Sequence, residues 1–242
     1  MKYKKIILGV ALALACFSSL NANALTETTV KKTETQAAAP NVYWTDGYGR
    51  VSYTTNSIIS PVVKIALKEF AGDMKAVTGF DAKEKSGAPI QIYQLDQLTN
   101  KEFSAVEKLG APLHLIITAK DAFYIGTRKG KLIVIGSNAR GTAYAIMKLS
   151  ELAGVSPLAA WNDLQPAQRK SLYTPVDQQW IEVPRIEFRG LALNNSQWMK
   201  PQNYSRIARL MLRRVKAGGI YHQHPERGKQ KRRDGNGEIS HP

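Results

Sequence analysis

Two glycines in the segment Gly136–Gly141 (GSNARG) have the spacing of a phosphate-binding loop. A P-loop places a lysine directly after its second glycine, where the ammonium group reaches the phosphates. Thr142 stands at that position here, and the dinucleotide pattern GxGxxG is also absent. We therefore interpret both glycines as turn and close-packing positions rather than as a nucleotide site.

Histidine side chains are the next candidates for chemistry, because imidazole is a common metal ligand. His222 and His224 are separated by one residue and could begin a metal site, but only the distant His241 follows them. A zinc site needs a third and usually a fourth ligand at suitable spacing. His114 lies in an apolar run, where a single histidine is more often packed or at an edge. We predict no metal and no cofactor.

The sequence is strongly basic, with 34 Lys and Arg residues against 19 Asp and Glu residues and a formal net charge of +15. Much of the excess lies near the chain ends, at Lys2, Lys4 and Lys5 and in the segment 213–242, which includes the basic run Arg227–Arg233. A nucleic-acid-binding domain would add zinc-finger spacing or an aromatic RNA-binding motif, and neither is present. We predict no nucleic-acid partner.

The GSNARG segment lies between a strand and a helix. The apolar run 132–135 predicts a strand, and the residues from about Ala139 to Ala153 predict a helix. Asn138 can cap the helix start, Gly154 can take the left-handed conformation at its end, and Pro157 prevents continuation. The segment is therefore one strand–turn–helix unit.

Helix and strand signals are mixed over residues 41–165. A helix begins at Ser60-Pro61 and ends at Gly79, and Thr99 with Glu102 forms the capping box of a second, short helix. Strands are expected at 42–44, 51–53, 89–95, 113–118, 122–125 and 132–135, the last two as a hairpin. We predict a small mixed α/β sandwich domain over 41–165.

A second unit is expected after a linker at 166–184. Residues 186–193 (IEFRGLAL) predict a buried strand, and 201–217 predict an amphipathic helix, so 185–218 form one βα unit. The segment 219–242 has no apolar period, and we expect it to be disordered. We hypothesise that this tail results from a frameshift or premature gene end. Its basic run Arg227–Arg233 could otherwise bind phosphate backbones or membranes, or be a protease target.

The N-terminal region is typical of an exported protein. Lys2, Lys4 and Lys5 precede the apolar run 6–20, and Ala22-Asn23-Ala24 is a small-x-small cleavage site, so we expect a signal peptide at 1–24. Residues 25–40 form a polar linker. Cleavage here gives a periplasmic or extracellular protein without a membrane span. A lipid anchor at Cys16, the only cysteine, is the less favoured alternative.

Several separated blocks together resemble glycoside hydrolase family 115, the xylan α-1,2-glucuronidases. The blocks are Gly136-Ser137-x-x-Arg140-Gly141-Thr142-x-Tyr144-x-Ile146, Leu149-Ser150-Glu151-x-x-Gly154-Val155-Ser156-Pro157, Trp161-x-Asp163, Phe188-Arg189-Gly190 with Asn194, and Ala76-Val77-Thr78-Gly79. They occur in the family's order over about residues 57–217. The resemblance implies an α/β accessory domain followed by a (β/α)8 barrel that removes glucuronic or 4-O-methylglucuronic acid from xylan.

The implied catalytic acid and base lie further along the barrel than this sequence reaches. A (β/α)8 barrel needs about 200–250 residues, so we expect 185–218 to be the first unit of an incomplete barrel and the chain alone to be inactive. Glucuronoxylan or its oligosaccharides are the implied partner, and the full-length family implies a homo-oligomer.

Residues that could still contact sugar are few. In a barrel, the carboxyl ends of strands face the substrate, so Asn194 and Asn195 are predicted to bind sugar hydroxyls. The family usually has Asn-Asp-Glu where this sequence has Asn194-Asn195-Ser196. Trp161 matches a family tryptophan that could stack on a sugar ring or pack between domains. Alternatives are a secreted carbohydrate-binding or accessory module, and a fragment of a family 20 hexosaminidase.

Overall fold

The computed structural model of the chain describes residues 40–186, 189–193, 201–215 and 219–222. The strands in this part of the chain are β1 Asn41–Tyr43, β2 Ser52–Thr55, β3 Lys83–Glu84, β4 Ile90–Gln94, β5 Phe123–Arg128, β6 Lys131–Gly136, β7 Tyr173–Pro175, β8 Gln179–Glu182, β9 Gly190–Leu193 and β10 Gly219–His222. The α-helices are α1 Pro61–Thr78, α2 Asn100–Glu107, α3 Ala139–Leu152, α4 Ala159–Asn162 and α5 Pro201–Leu210. The predicted mixed α/β class is confirmed.

Six strands form one mixed sheet in the order β3-β2-β4-β6-β5-β8. Strands β3, β2, β4 and β6 are parallel neighbours, whereas β5 is antiparallel to both β6 and β8. Lys129 and Gly130 connect β5 to β6, and both have positive φ angles (50° and 70°). Positive φ at both central residues is typical of the tight turn that joins hairpin strands. The predicted hairpin is confirmed.

Apolar side chains of β6 point alternately to the two faces of the sheet, and both faces are buried. Leu132 and Val134 face one way and pack in the larger apolar cluster, which includes the inner faces of α1 and α3. Ile133 and Ile135 face the other way and pack in a smaller cluster, to which α2 contributes Val106. A strand buried on both faces has a continuous apolar sequence, which explains the LIVI run.

Local capping signals in the sequence correspond to real caps. Thr99 and Glu102 form both hydrogen bonds of a capping box at the start of α2. The Asn138 side chain accepts a hydrogen bond from the Gly141 N–H (2.9 Å) at the start of α3. Beyond the end of α3, Gly154 has a φ of 99°, so the predicted helix bounds are confirmed to within a residue or two.

The strand predicted at 113–118 is wrong. Leu113–Leu115 form a short 3-10 helix, and His114 in it is exposed. Within the sheet, β6 already pairs with β4 on one side and β5 on the other. The segment therefore has no interior position in the sheet, and it covers one face instead, with Ile116 buried in the smaller cluster.

The segment 166–184, expected from its sequence to be a linker, is instead part of the folded first domain. It contains β7, which pairs antiparallel with β1, and β8, which extends the six-stranded sheet beyond β5. Buried Trp44 donates a hydrogen bond from Nε1 to Thr174 Oγ1 at 2.8 Å. These residues complete the first domain, because strand pairing supplies the backbone partners that a free linker lacks.

The C-terminal part is a strand–helix–strand unit rather than a strand and helix alone. The strand β9 is shorter than the predicted 186–193, and α5 continues into the π-helical turn Met211–Val215. Residues 219–222, expected to be disordered, form β10 parallel to β9. The rest of the expected tail, 223–242, and the expected signal peptide 1–24 lie outside the described residues.

Candidate functional site

The predicted sugar-binding residues are only partly located. Trp161 lies on the four-residue helix α4, and its side chain is 46% exposed. Asn194 and Asn195 follow directly after β9 and lie outside the described residues. Whether they lie near Trp161 therefore stays a prediction.

Trp161 is held on a segment that contacts the C-terminal unit. Two residues after it, Asp163 has a φ of 54°, and its Oδ1 lies 3.4 Å from Arg206 Nη2 on α5. The Asp163 side chain is 80% exposed, so this ion pair contributes little to stability. The indole of Trp161 is therefore exposed at the surface, on a segment that contacts the C-terminal strand–helix–strand unit.

A buried carboxylate joins two of the motifs that carry the family resemblance. Asp121 Oδ1 lies 3.0 Å from Arg140 Nε in the GSNARG segment, and Asp121 Oδ2 lies 3.5 Å from Arg189 Nη2. Asn138 donates a further hydrogen bond from Nδ2 to Asp121 Oδ1 at 3.0 Å. We call Asp121, Asn138, Arg140 and Arg189 the Asp121 cluster.

Close backbone packing explains why glycines flank this cluster. A Cβ on Gly141 would lie 2.3 Å from the carbonyl oxygen of Ala122, and a Cβ on Gly136 would lie 2.1 Å from the backbone nitrogen of Thr142. Non-bonded heavy atoms do not approach so closely. Gly141 therefore allows the start of α3 to pack against Asp121 and Ala122, and Gly136 allows the end of β6 to approach Thr142 in α3. Both glycines support the close-packing interpretation.

The electrostatics of the Asp121 cluster indicate a structural role. The carboxylate is 3% exposed and accepts from two guanidinium groups and one amide, so a substrate in the solvent cannot reach it. The guanidinium carbon of Arg189 also lies 5.8 Å from the ring centre of Tyr144. Burial raises the pKa of the Tyr144 phenol, and the charge of Asp121 raises it further.

A second set of ion pairs attaches the C-terminal helix to α1. Arg213 donates to Asp73 through two hydrogen bonds of 2.7 and 2.9 Å and to Glu69 through one of 3.3 Å. Burial by itself would lower the pKa of Arg213, but the two carboxylates more than offset it, and the pKa is raised. Arg209 lies 3.2 Å from Glu69 as well. These contacts fix the turn after α5 on the first domain.

Sequence reasoning did not predict Asp121 or the acceptors Asp73 and Glu69. Asp121 lies in a polar loop and belongs to no sequence motif. Its φ is 60°, and the only hint of this in the sequence is that Asp tolerates positive φ better than most residues. Within the described residues, no three His, Cys, Asp or Glu side chains come together as a metal site. None of the described helices has the length and apolarity to cross a bilayer.

No protein-family model matches the sequence, and no curated protein matches it significantly. Among solved structures, the chain is similar to a family GH115 4-O-methyl-α-glucuronidase with specificity for decorated arabinogalactans, with a TM-score of 0.63 and 25% identity over 73% of this chain. This similarity supports a glycoside hydrolase relationship. The chain spans only 25% of that glucuronidase's length.

A β-hexosaminidase from Streptomyces plicatus is a more distant match, with a TM-score of 0.48 and 12% identity over 76% of this chain and 32% of the hexosaminidase. Similarity at this level carries no information on activity. The hexosaminidase alternative therefore gains no support from this match.

Proposed function

We propose that the chain is part of an exported glycoside hydrolase that removes glucuronic or 4-O-methylglucuronic acid from polysaccharide side chains. The observation that carries this proposal is the similarity to the family GH115 glucuronidase at 25% identity. The Asp121 cluster adds to it, because Arg140 and Arg189, from two separate resemblance blocks, contact the same buried carboxylate.

The proposed substrate class is defined by its terminal sugar rather than by its backbone. The resemblance implies glucuronoxylan, whereas the similar solved enzyme has specificity for decorated arabinogalactans. What the two have in common is the sugar released, because the similar solved enzyme is a 4-O-methyl-α-glucuronidase. We therefore propose uronic-acid-bearing plant polysaccharides or oligosaccharides as the partner.

We further propose that these 242 residues do not hydrolyse this substrate by themselves. Glycoside hydrolysis needs a general acid and a second carboxylate on opposite sides of the scissile bond. The resemblance implies that both lie in later barrel strands, and the 57 residues from Ile186 to Pro242 fall far short of the roughly 200–250 that a barrel needs.

The test is an assay of the purified chain on glucuronoxylan and on arabinogalactan, with release of free uronic acid measured by chromatography. The expected release does not exceed that of a heat-denatured sample. Release that rises in proportion to protein concentration would overturn the inactivity of this chain.

A second candidate is a secreted carbohydrate-binding or accessory module, favoured by the exposed indole of Trp161. An exposed aromatic ring can stack on the C–H face of a sugar. Under this alternative the chain is retained on immobilised glucuronoxylan, and Trp161→Ala reduces retention. Leu164→Ala is the matched control, because Leu164 is also exposed (52%) and apolar but has no ring.

Export is the remaining part of the proposal and rests on the signal at 1–24. Expression of the chain with its own N-terminus, followed by mass spectrometry of the secreted or periplasmic fraction, tests it. The expected mature N-terminus is Leu25. An intact Met1 in the cytoplasmic fraction would contradict export, and a lipidated Cys16 would establish the lipoprotein alternative.

A further inference from the structure

A groove lies at the edge of the six-stranded sheet, and residues between positions 46 and 85 line it. It has a volume of about 650 Å³ and is formed by the turn before β2, the end of α1 and the short edge strand β3. A smaller hollow of about 240 Å³ shares Asp46, Ser52 and Lys85 with it. Volumes of about 300–1,000 Å³ are usual for small-molecule sites. We call the larger hollow the edge groove.

Cations in the edge groove exceed what its carboxylates neutralise. The groove is lined by the cations Arg50, Lys75, Lys83 and Lys85 and by the carboxylates Asp46, Asp81 and Glu84. Arg50 pairs with Asp46 at 3.0 Å and Lys75 with Asp81 at 3.9 Å. Glu84 accepts a hydrogen bond from Thr55.

Lys83 and Lys85 therefore remain outside these ion pairs, and together with Glu84 they leave the edge groove with a net charge of +1. Both side chains are exposed, and neither has a carboxylate within 4 Å among the described residues. They are two residues apart in an extended segment, so they project to the same side. The backbone is fixed there, because the Lys83 and Lys85 N–H groups donate to the carbonyl groups of Val51 and Tyr53.

An aromatic ring and a fixed carboxylate complete the chemistry of the edge groove. Phe80 lines the groove with 47% of its surface exposed. Asp46 is held in place by backbone hydrogen bonds from Arg50 and Tyr48, both 2.9 Å, and that from Arg50 is the main reason that its pKa is lowered. An ionised carboxylate accepts hydrogen bonds from hydroxyl groups.

We propose that the edge groove binds a uronic acid residue of an acidic oligosaccharide. Lys83 and Lys85 would pair with the uronate carboxylate, Phe80 would contact the C–H face of the sugar, and Asp46 would accept from a hydroxyl group. A phosphate or sulfate ion offers no apolar face to Phe80. The choice of an acidic saccharide rests on the proposed function.

Titration calorimetry of the full chain in 150 mM salt tests this proposal. The probes are xylotriose with one glucuronic acid branch, unbranched xylotriose and inorganic phosphate. We expect the Lys83→Gln/Lys85→Gln variant to bind the branched probe about tenfold more weakly, the loss of roughly one charge-assisted hydrogen bond. Phe80→Ala is expected to weaken both sugar probes. Lys101→Gln/Lys108→Gln, which replaces two exposed lysines outside the edge groove, is the control for net charge.

Equal binding of the branched probe by the wild type and the double lysine variant would overturn the proposal, as would phosphate binding as tight as that of the branched probe. If Trp161→Ala loses binding and the edge-groove variants do not, the edge groove is not the binding site. The chain would then still recognise carbohydrate, through Trp161. Absence of binding of any saccharide by the wild type would contradict both.

Discussion

Arg189 lies 3.5 Å from Asp121 although 68 positions separate them in the sequence. The aspartate also binds Arg140, so a single buried carboxylate connects the start of α3 with the residue just before β9. The first domain and the C-terminal strand–helix–strand unit are therefore joined by an ion pair as well as by packing.

Replacement of Asp121 by Asn tests this connection. The variant keeps the shape and the tolerance for positive φ but leaves Arg189 and Arg140 without their anion. We expect a loss of about 2–4 kcal/mol in the free energy of unfolding, because removal of one partner of a buried ion pair is costly. Urea denaturation followed by circular dichroism measures it.

Asp177→Asn is the matched control for that experiment. Asp177 also has a positive φ (77°) but is exposed, so the same substitution is expected to change stability by less than about 0.5 kcal/mol. Equal effects of the two substitutions would show that the Asp121 charge does not hold the cluster together.

Gly141→Ala is expected to destabilise the protein by at least about 2 kcal/mol, because the new methyl group would overlap the Ala122 carbonyl and overpack the core. Gly72→Ala is the opposite case. Gly72 lies within α1 with open space around it, and alanine there is expected to stabilise the helix by about 0.5–1 kcal/mol. Thermal melts compare the pair; a stable Gly141→Ala variant would contradict the close-packing interpretation.

Arg213→Met is expected to loosen the C-terminal helix selectively. The substitution retains apolar bulk but leaves Asp73, which is 13% exposed, without its cation, and Glu69 with Arg209 alone. Hydrogen exchange should accelerate in 201–215 and remain slow in the six-stranded sheet. Arg209→Met should have a much smaller effect, because the Arg209 side chain is 47% exposed. Unchanged protection in Arg213→Met would mean that apolar packing alone holds α5.

Acid sensitivity should arise in part from Glu102. Hydrogen bonds from the Ser57 and Thr99 N–H groups lower the pKa of Glu102 to about 2 from its usual 4.5. Because the folded-state pKa is below the unfolded one, the stabilisation is complete above pH 4.5 and is lost as pH falls towards 2. Glu102→Gln should therefore flatten the stability profile in that window. A wild-type profile already flat between pH 4.5 and 2 would exclude this contribution.

Local signals predicted the elements of the fold better than their arrangement. Asn138 and Thr99 act on atoms three residues away, so their caps could be inferred from spacing alone. The apolar run 113–118 could not be assigned in this way, because its conformation depends on which strands flank β6. Asp121 is a similar case, since only the folded chain brings Arg189 to it.

The candidate binding residues likewise include some that the sequence predicts and some that only the structure reveals. Trp161 was predicted from a motif, and its exposure is compatible with sugar contact. The edge groove had no sequence signal, because its lining comes from three separate segments and contains ordinary surface residues such as Lys83 and Phe80.

Affinity electrophoresis of the purified chain in gels containing glucuronoxylan tests the central proposal most directly, with uronic acid release assayed on the same samples. We expect retarded migration that disappears when the xylan has been stripped of its glucuronic acid branches, and we expect no release of uronic acid. Identical migration in both gels, or release of glucuronic acid by this chain, would contradict it.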